Sequence, residues 1–169
     1  MLSWFRCPSA ALRTLLAMVL LVSAPVYANS VISLEVVPGD SSQVVVVSHF
    51  ELDELPQHSV TTASPYFEGQ IRFSGPLLED VLVQLIDKEF ESQDPVTLRA
   101  LNDYFVETTF GVLSDAKAII ATRKEGTRLS IRDRGPFWIM LPLSDRPELD
   151  SEQYHRLLVW QLSRIELGN

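Results

Sequence analysis

Cysteine is almost missing from this sequence of 169 residues: the single one, Cys7, lies near the N-terminus, and residues 29–169 contain none. A domain built from those residues folds without a disulfide and offers no thiolate to a metal ion or a substrate. A domain of this length can bury enough apolar surface to do without such a cross-link. The lack of cysteine therefore restricts the function more than it restricts the fold.

Signatures of several common protein classes are missing as well. The histidines, His49, His58 and His155, are too far apart to match a metal-ligand spacing, and no metal site is predicted. There is no glycine-rich phosphate-binding motif, and no serine lies in a nucleophile elbow. The formal net charge of −8 argues against nucleic acid or anionic lipid as a partner. No catalytic residue can be named from these patterns.

The N-terminal segment has the features of a secretory signal peptide. Arg6 and Arg13 precede a short apolar run at residues 15–22, and Ala28 ends a plausible cleavage site. The pattern predicts a signal peptide over residues 1–28 and one domain over residues 29–169. An uncleaved anchor is the alternative, although the run is short for a membrane span. No later run is long enough to insert into a membrane.

Short strands and one clear helix make up the remaining pattern. The helix is predicted near residues 77–86, whose apolar side chains recur at helical spacing. A short helix is expected at 110–116 and a helical stub at 52–56. Strands are predicted at 31–37, 44–47, 59–62, 70–73, 96–100, 105–109, 118–122, 137–141 and 157–167. This pattern predicts an α+β domain with a mixed or antiparallel sheet and one main amphipathic helix.

Two of these expectations are specific enough to be tested residue by residue. The continuous β-branched run Val44–Val47 is typical of a buried strand. The stretch from Lys124 to Arg134 is polar and is predicted to be a loop joining two apolar strands.

The turn at residues 101–104 is the first candidate for ligand binding. Asn102 can donate and accept hydrogen bonds, and the Asp103 carboxylate can accept two N–H groups from an amino-pyrimidine edge. Tyr104 can supply a flat apolar wall with a polar tip. The alternative is an ordinary turn in which the Asn and Asp side chains bond the local backbone.

The second candidate is the basic segment, residues 123–134, which contains Arg123, Lys124, Arg128, Arg132 and Arg134. In an acidic chain such a cluster favours a local positive concavity for an anionic or electron-rich ligand. The alternative is a solvated surface loop held by ion pairs. Trp138 and Trp160 follow it, and each is predicted either to pack in the core or to stack on a planar ring.

The order of five motifs resembles one protein family over nearly the whole of residues 29–169. The motifs are Leu55-Pro56 with Ser59–Thr62, Phe73–Leu82, Leu101–Tyr104, Arg134–Pro142 and Val159–Glu166. Together they are similar to the molybdopterin-binding domain of the sulfite-oxidase superfamily, in a shortened secreted form. The resemblance implies a fold of the sulfite-oxidase molybdopterin-domain type.

The chain departs from that family where the family keeps its molybdenum-binding cysteine. The corresponding stretch runs from Thr62 through Ala63 to Ser64, and hydroxyls are poor ligands for a metal that the family binds through sulfur. Molybdenum cofactor is therefore not expected, whereas pterin recognition can persist. Short, cysteine-free relatives resemble periplasmic pterin-binding proteins that work beside inner-membrane enzymes making or degrading cyclic di-GMP.

The resemblance implies a non-catalytic periplasmic protein that senses a reduced pterin and acts with such a membrane enzyme. The implied ligand-binding residues are Thr62, Ser64, Asn102, Asp103, Tyr104, Arg123, Arg132 and Trp138. One alternative is a molybdenum-cofactor oxidoreductase or electron-transfer subunit with an atypical site, in which Arg123 or Arg132 binds the phosphate. The other is a ligand-free adaptor whose old pocket is filled by Tyr66, Phe67 or Trp138.

Overall fold

The structure is a computed structural model that describes residues 33–39, 43–86 and 89–168. The predicted signal peptide, residues 1–28, lies outside the described residues. Within the described ranges, no helix is long and apolar enough to cross a membrane.

Strands outnumber helices in the described chain. The strands are β1 (Ser33–Val37), β2 (Val45–Ser48), β3 (His58–Ser64), β4 (Phe67–Gly75), β5 (Pro95–Ala100), β6 (Phe105–Thr109), β7 (Ile119–Ala121), β8 (Arg123–Lys124), β9 (Thr127–Arg128), β10 (Trp138–Met140) and β11 (Leu162–Leu167). The helices are α1 (His49–Glu54), α2 (Leu78–Leu85), α3 (Phe110–Asp115) and α4 (Glu152–His155). Single 3₁₀ turns lie at Ile131–Asp133 and Pro147–Leu149. The α+β class predicted from the sequence is confirmed.

The largest sheet has five strands in the order β2-β1-β11-β5-β6. β1 and β11 are parallel, and the other neighbours are antiparallel. Alternate residues of β1 and β5 are buried on one face, as Leu34 and Leu98 show. The opposite face carries ion pairs, including Arg99 with Glu166. The apolar and polar alternation therefore orients one face of this sheet toward the core.

A second sheet has the order β3-β4-β8-β9, and β7 pairs with β10 beside it. β4 crosses β7 closely at Gly75, where an added Cβ would lie 1.9 Å from the carbonyl oxygen of Ile120. Only glycine permits that approach. The contact brings β10, and Trp138 with it, next to the β3–β4 hairpin.

The main helix is confirmed over nearly the predicted range. α2 buries Leu78, Val81 and Leu82 against the core. Its N-terminal residue Leu77 makes no side-chain cap, and instead the Leu78 N–H donates to the carbonyl of Ala118 at 2.9 Å. The tertiary contact thus satisfies one of the backbone donors that the first turn of a helix leaves without an intrahelical partner.

The expectation of a buried strand at Val44–Val47 is wrong. β2 forms there, but it is an edge strand, and the side chains of Val44 and Val46 are 45% and 56% exposed. Val47 is buried, so the strand alternates in burial although its sequence does not alternate. A run of one residue type cannot reveal which face is covered.

The expectation of a loop from Lys124 to Arg134 is wrong for residues 124–128, whereas residues 129–134 contain no strand, as expected. β8 and β9 form a small hairpin around Glu125 and Gly126, which have φ angles of 48° and 77°. Positive φ at both central residues is typical of a tight hairpin turn. The final strand is shorter than predicted and begins at Leu162, because Gln161 adopts a φ of 51° and interrupts the extended chain.

Candidate functional site

A small cavity lies where the β3–β4 turn, the β5–β6 turn and the segment after α4 meet. We call it the tyrosine cavity; it is lined by Tyr66, Ala100, Asn102, Tyr104, Arg156, Leu158 and Trp160. Its volume is about 140 Å³, which is below the range of roughly 300–1,000 Å³ for drug-sized ligands. The space suits one flat ring system rather than a whole large ligand.

Two tyrosine hydroxyls fix the walls of the tyrosine cavity. Tyr66 Oη donates to the carbonyl of His155 at 3.3 Å, and Tyr104 Oη donates to the carbonyl of Arg156 at 3.0 Å. Burial raises the pKa of the Tyr104 phenol, so the hydroxyl stays protonated and keeps donating at neutral pH. Trp160 meets the Tyr66 ring edge-on, with centroids 5.0 Å apart. The aromatic walls are thus held by neighbouring carbonyls of one segment.

The polar side chains of the tyrosine cavity present hydrogen-bond donors. Asn102 Oδ1 accepts from the Tyr104 N–H at 3.2 Å, as in an Asx-type turn. Within the described residues, the Asn102 amide nitrogen has no partner and is available to donate. The Arg156 guanidinium uses Nε on the carbonyl of Gln153 at 3.2 Å and is otherwise exposed. A ligand with carbonyl or ring-nitrogen acceptors complements this lining.

A second pocket lies on the other side of Tyr66. We call it the Arg132 pocket; it is lined by Tyr66, Phe67, Lys124, Arg132, Asp133, Arg134 and Trp138, with a volume of about 240 Å³. Across the part of the chain that the structure describes, Lys124 and Arg132 make no side-chain hydrogen bond or ion pair. The Asp133 carboxylate accepts from Ser130 Oγ at 2.6 Å. Two unpaired cations therefore dominate the charge of this pocket.

Arg134 stands between the two sites. Its Cζ lies 5.5 Å from the Trp138 ring centroid and 5.4 Å from that of Trp160, and Nη1 donates to the carbonyl of Tyr66 at 2.6 Å. Trp138 is buried, and its indole N–H donates to the carbonyl of Leu158 at 3.2 Å. Arg134 thus links the β3–β4 turn to the tryptophan pair through a charge-assisted hydrogen bond and cation–π contacts.

Residues with positive φ are connected through this region. Asp103, Arg134 and Gln161 have φ angles of 66°, 67° and 51°. The Leu101 N–H donates to the carbonyl of Gln161, and the Gln161 N–H donates to that of Arg134, each at 2.9 Å. Strained backbone of this kind is concentrated at functional sites in proteins. Its presence here supports the choice of this region as the candidate site.

Arg123 is engaged elsewhere. Its Nη1 and Nη2 atoms donate to the two carboxylate oxygens of Asp53 at 2.7 and 3.0 Å, and Arg128 contacts the same carboxylate. The hydrogen bond from Arg123 lowers the pKa of Asp53, and the same contact raises the pKa of Arg123. Arg123 lines neither the tyrosine cavity nor the Arg132 pocket.

Thr62 and Ser64 line neither site, although Ser64 Oγ accepts from the Tyr66 N–H at 3.3 Å. Thr62 is fully buried; its Oγ1 donates to the carbonyl of Ala63 at 2.8 Å and accepts from the Ser144 N–H at 3.3 Å. Ser64 lines a third pocket of about 280 Å³ with His155, whose Nε2 lies 2.6 Å from Asp150 Oδ1. Among the described residues, no group of three or more His, Cys, Asp or Glu side chains could hold a metal ion.

Asp103 lies on the far side of the turn from Asn102 and Tyr104. It lines a shallow groove of about 420 Å³ on the outer face of the large sheet, together with Arg99 and Arg164. The structure therefore brings Asn102 and Tyr104 together in one cavity, and Arg132 and Trp138 in the next. The other predicted site residues, Thr62, Ser64, Asp103 and Arg123, lie outside both.

Sequence reasoning missed part of the lining. Trp160 was expected either in the core or stacked on a ring, and Tyr66 was considered only as a residue that fills the pocket. Arg156 carried no sequence signal, because its place depends on the turn after α4 and on the hydrogen bond from Tyr104 to its carbonyl. Arg134 was distinguishable from the other arginines only through its contacts with the tryptophans.

Comparisons with known proteins identify the fold but not a family. No protein-family model matches the sequence, and no curated protein matches it either. Among solved structures, the chain is similar to the sulfane dehydrogenase SoxCD from Paracoccus pantotrophus, with a TM-score of 0.58 and 13% sequence identity. The match covers 80% of this chain and 38% of that chain. At this identity the likeness shows a shared fold and nothing finer.

Proposed function

We propose that this protein is a non-catalytic periplasmic binding protein for a reduced pterin, and that it acts with an inner-membrane enzyme that makes or degrades cyclic di-GMP. The observation that carries the binding part is the tyrosine cavity, in which aromatic walls enclose a space of about 140 Å³ beside unpaired hydrogen-bond donors. The choice of pterin and of the membrane partner rests on the motif resemblance and on the related fold.

The tyrosine cavity complements a pterin ring in shape and in hydrogen bonding. The rings of Tyr66, Tyr104 and Trp160 offer apolar surface to a planar heterocycle. Asn102 and Arg156 can donate to the carbonyl oxygen and ring nitrogens of the pterin. The ring fills the cavity, and the substituent on the ring extends past Tyr66 toward Arg132 and Trp138. Thr62, Ser64, Asp103 and Arg123 are left out of this pocket, because none of them lines it.

The donor atoms near Thr62 do not fit a molybdenum ion bound through a cysteine sulfur, as in the sulfite-oxidase superfamily. The described residues contain no cysteine, and the Thr62 hydroxyl is buried and bonded to Ala63 and to the Ser144 N–H. A hydroxyl that is already bonded is a poor replacement for a thiolate at a metal that prefers sulfur. These residues support pterin binding without the oxygen-transfer chemistry of a molybdenum enzyme.

The binding proposal is tested by anaerobic calorimetric titration with a 6-substituted tetrahydropterin. We expect a dissociation constant below about 10 μM, because a sensor must bind at low cellular concentrations. Tyr104→Ala removes a wall of the cavity and should weaken binding at least about tenfold. Phe105→Ala is the matched control: Phe105 is next in sequence and similarly exposed, but it packs under Arg99 on the outer face. Equal losses in both variants, or no binding by the unaltered protein, would refute the proposal.

The alternative of a molybdenum-cofactor oxidoreductase or electron-transfer subunit makes a different prediction. Protein purified from its native compartment should then contain about one molybdenum per chain, whereas the binding proposal expects none and expects a co-purified pterin. Mass spectrometry of the extracted small molecules together with elemental analysis separates these outcomes in one preparation.

Location and partner are tested in cells. The proposal expects the mature protein to begin at Asn29, which peptide mass spectrometry of the periplasmic fraction would show. It also expects deletion of the protein to change the cyclic di-GMP level only in cells that can make pterins. A deletion effect that is independent of pterin synthesis would remove the sensing role.

One observation favours a second candidate, a ligand-free periplasmic adaptor. The tyrosine cavity is smaller than most ligand sites, and Phe67 and Trp138 pack edge to face, with ring centroids 6.0 Å apart, where a larger pocket could open. For an adaptor, neither titration nor extraction yields a pterin, yet deletion still changes the cyclic di-GMP level.

A further inference from the structure

Gln161 connects the surroundings of the two candidate pockets, although it lines neither of them. It lies between Trp160, a wall of the tyrosine cavity, and the start of β11. Its φ of 51° is a left-handed conformation that costs free energy for most residues other than glycine. Because such strain persists only where the surrounding structure enforces it, the contacts of Gln161 indicate what the conformation achieves.

The backbone of Gln161 bonds two segments that are far apart in the sequence. Its carbonyl accepts from the Leu101 N–H at 2.9 Å, at the start of the turn at residues 101–104. Its N–H donates to the carbonyl of Arg134, also at 2.9 Å. In a regular strand the N–H and C=O groups of one residue bond the same neighbouring strand. The break in the extended chain thus allows Gln161 to bond both segments.

The side chain of Gln161 contacts a third element, residues 130–135, which we call the Ser130 turn. Gln161 Nε2 donates to the carbonyl of Ile131 at 2.9 Å. Inside the turn, the Asp133 N–H donates to the carbonyl and to Oγ of Ser130, at 2.9 and 3.3 Å. Within the described residues, Gln161 is the only partner outside the Ser130 turn that hydrogen-bonds to residues 131–133.

The Ser130 turn carries Arg132, one of the two unpaired cations of the Arg132 pocket. Residues 131–133 are exposed, so burial does little to fix their position. The carbonyl that Gln161 bonds belongs to Ile131, the residue directly before Arg132. The amide of Gln161 therefore restrains the backbone from which the Arg132 side chain enters its pocket.

We propose that Gln161 is a positioning residue that sets how tightly the protein binds the substituent of its ligand. The inference rests on the proposed function, in which the ring occupies the tyrosine cavity and the substituent extends toward Arg132. The backbone of Gln161 secures the turn beside the ring, and its amide holds the turn that presents Arg132 to the substituent. Loss of the amide alone loosens the pocket for the substituent and leaves the cavity for the ring unchanged.

Hydrogen exchange followed by mass spectrometry tests the restraint without any ligand. Gln161→Met keeps an unbranched side chain of similar length but has no donor, so the amides of the Ser130 turn should exchange at least about threefold faster. Gln57→Met is the matched control, because the Gln57 amide also donates to backbone carbonyls, those of Leu52 and Leu55, and lines neither pocket. Unchanged exchange in Gln161→Met, or an equal change of this turn in Gln57→Met, overturns the proposal.

Anaerobic calorimetric titration with two ligands tests the effect on binding. Tetrahydrobiopterin carries a hydroxylated chain on the ring, whereas unsubstituted tetrahydropterin is the ring alone. Gln161→Met should weaken tetrahydrobiopterin binding about three- to tenfold and change tetrahydropterin binding by less than about twofold. Gln161→Gly should show the same selective loss. Glycine adopts the positive φ without strain, so that loss does not come from a strained backbone.

The outcomes distinguish a failure of this proposal from a failure of the proposed function. Equal losses for both ligands would show that Gln161 only supports the fold. Equal affinities of the unaltered protein for both ligands would show that the substituent does not use the Arg132 pocket. Either result overturns the positioning role and leaves pterin binding intact. An unaltered protein that binds neither ligand overturns both proposals.

Discussion

The turn at residues 101–104 and the basic segment at residues 123–134 are both predicted from the sequence to bind a ligand, but their side chains make different contacts in the fold. In the turn, Asn102 keeps its amide donor unpaired and Tyr104 forms a cavity wall. In the basic segment, Arg123 and Arg128 both contact Asp53 of α1. Arg134 contacts the tryptophan pair, so of the basic side chains in this segment only Lys124 and Arg132 have no partner in the described part of the chain. A cluster of basic residues in the sequence therefore predicts too large a binding site when a carboxylate from a distant part of the chain pairs with some of them in the fold.

Among the changes that test this difference, Arg134→Ala should have the largest effect on stability. It removes a cation that holds the fold together rather than one that contacts a ligand. We expect a loss of about 3 kcal/mol in the free energy of unfolding, from two cation–π contacts and a charge-assisted hydrogen bond. Urea denaturation monitored by circular dichroism measures it. Arg134→Gly should lose about 1 kcal/mol less, because glycine tolerates the positive φ at this position. A change below about 1 kcal/mol in both variants would show that Arg134 is free to serve a ligand.

Asp53→Ala should have the next largest effect. It leaves Arg123 and Arg128 without their shared carboxylate in a partly buried place, and we expect a loss of about 2 kcal/mol. Glu148→Ala is the control, because its pair with Arg146 is exposed and should contribute little to the free energy of unfolding. If both variants unfold at the same urea concentration as the unaltered protein, the ion pairs of the basic segment are only surface contacts.

Ligand affinities of two variants test directly which of the two segments binds the ligand. Asn102→Asp keeps the oxygen that accepts from the Tyr104 N–H but removes the amide donor. Tetrahydropterin binding should weaken roughly five- to tenfold, which corresponds to about 1 kcal/mol. Arg123→Ala should leave the affinity within about twofold, because Arg123 lines neither site. The opposite ranking in the same titration would place the ligand on the basic segment.

The smallest effect we expect is a pH dependence beside the basic segment. Burial, followed by the charge of Arg128, lowers the pKa of His49 below its usual value of 6.5, and its Nδ1 is buried with no partner among the described residues. The unfolded chain then binds a proton more readily than the folded one. His49 therefore contributes stability that is complete above pH 6.5 and is lost as the pH falls below that value.

Unfolding curves between pH 8 and pH 5 test this dependence. The stability of His49→Phe should fall less steeply below pH 6.5 than that of the unaltered protein, because the ring that packs against Phe137 no longer titrates. Parallel curves for the two proteins would contradict the assignment.

The elements of the fold that the sequence predicts well are those whose pattern lies within one short stretch of the chain. α2 and the strands β5 and β6 were predicted within about two residues, because helical spacing and bounded apolar runs are local patterns. β2 was correctly predicted to be a strand and wrongly predicted to be buried, because four valines give no alternation. The β8–β9 hairpin was missed although Glu125-Gly126 is a recognisable turn pair.

The site was less predictable than the fold. Asn102 and Tyr104 could be chosen from turn chemistry, and the structure places them in one cavity. Tyr66 and Arg156 could not be paired with them, because hydrogen bonds to backbone carbonyls far away in sequence bring these residues together. The engagement of Arg123 was equally hidden, because its partner Asp53 lies 70 positions earlier.

The tryptophan pair gives the protein an optical probe of its own site. Trp138 and Trp160 have ring centroids 6.4 Å apart at an interplanar angle of 78°, and the third tryptophan, Trp4, lies in the predicted signal peptide. If the predicted signal peptide is removed, all indole fluorescence comes from two neighbouring rings that both contact the Arg134 guanidinium. A ligand in the tyrosine cavity lies against Trp160, so near-ultraviolet dichroism and emission report occupancy of the site without any added label.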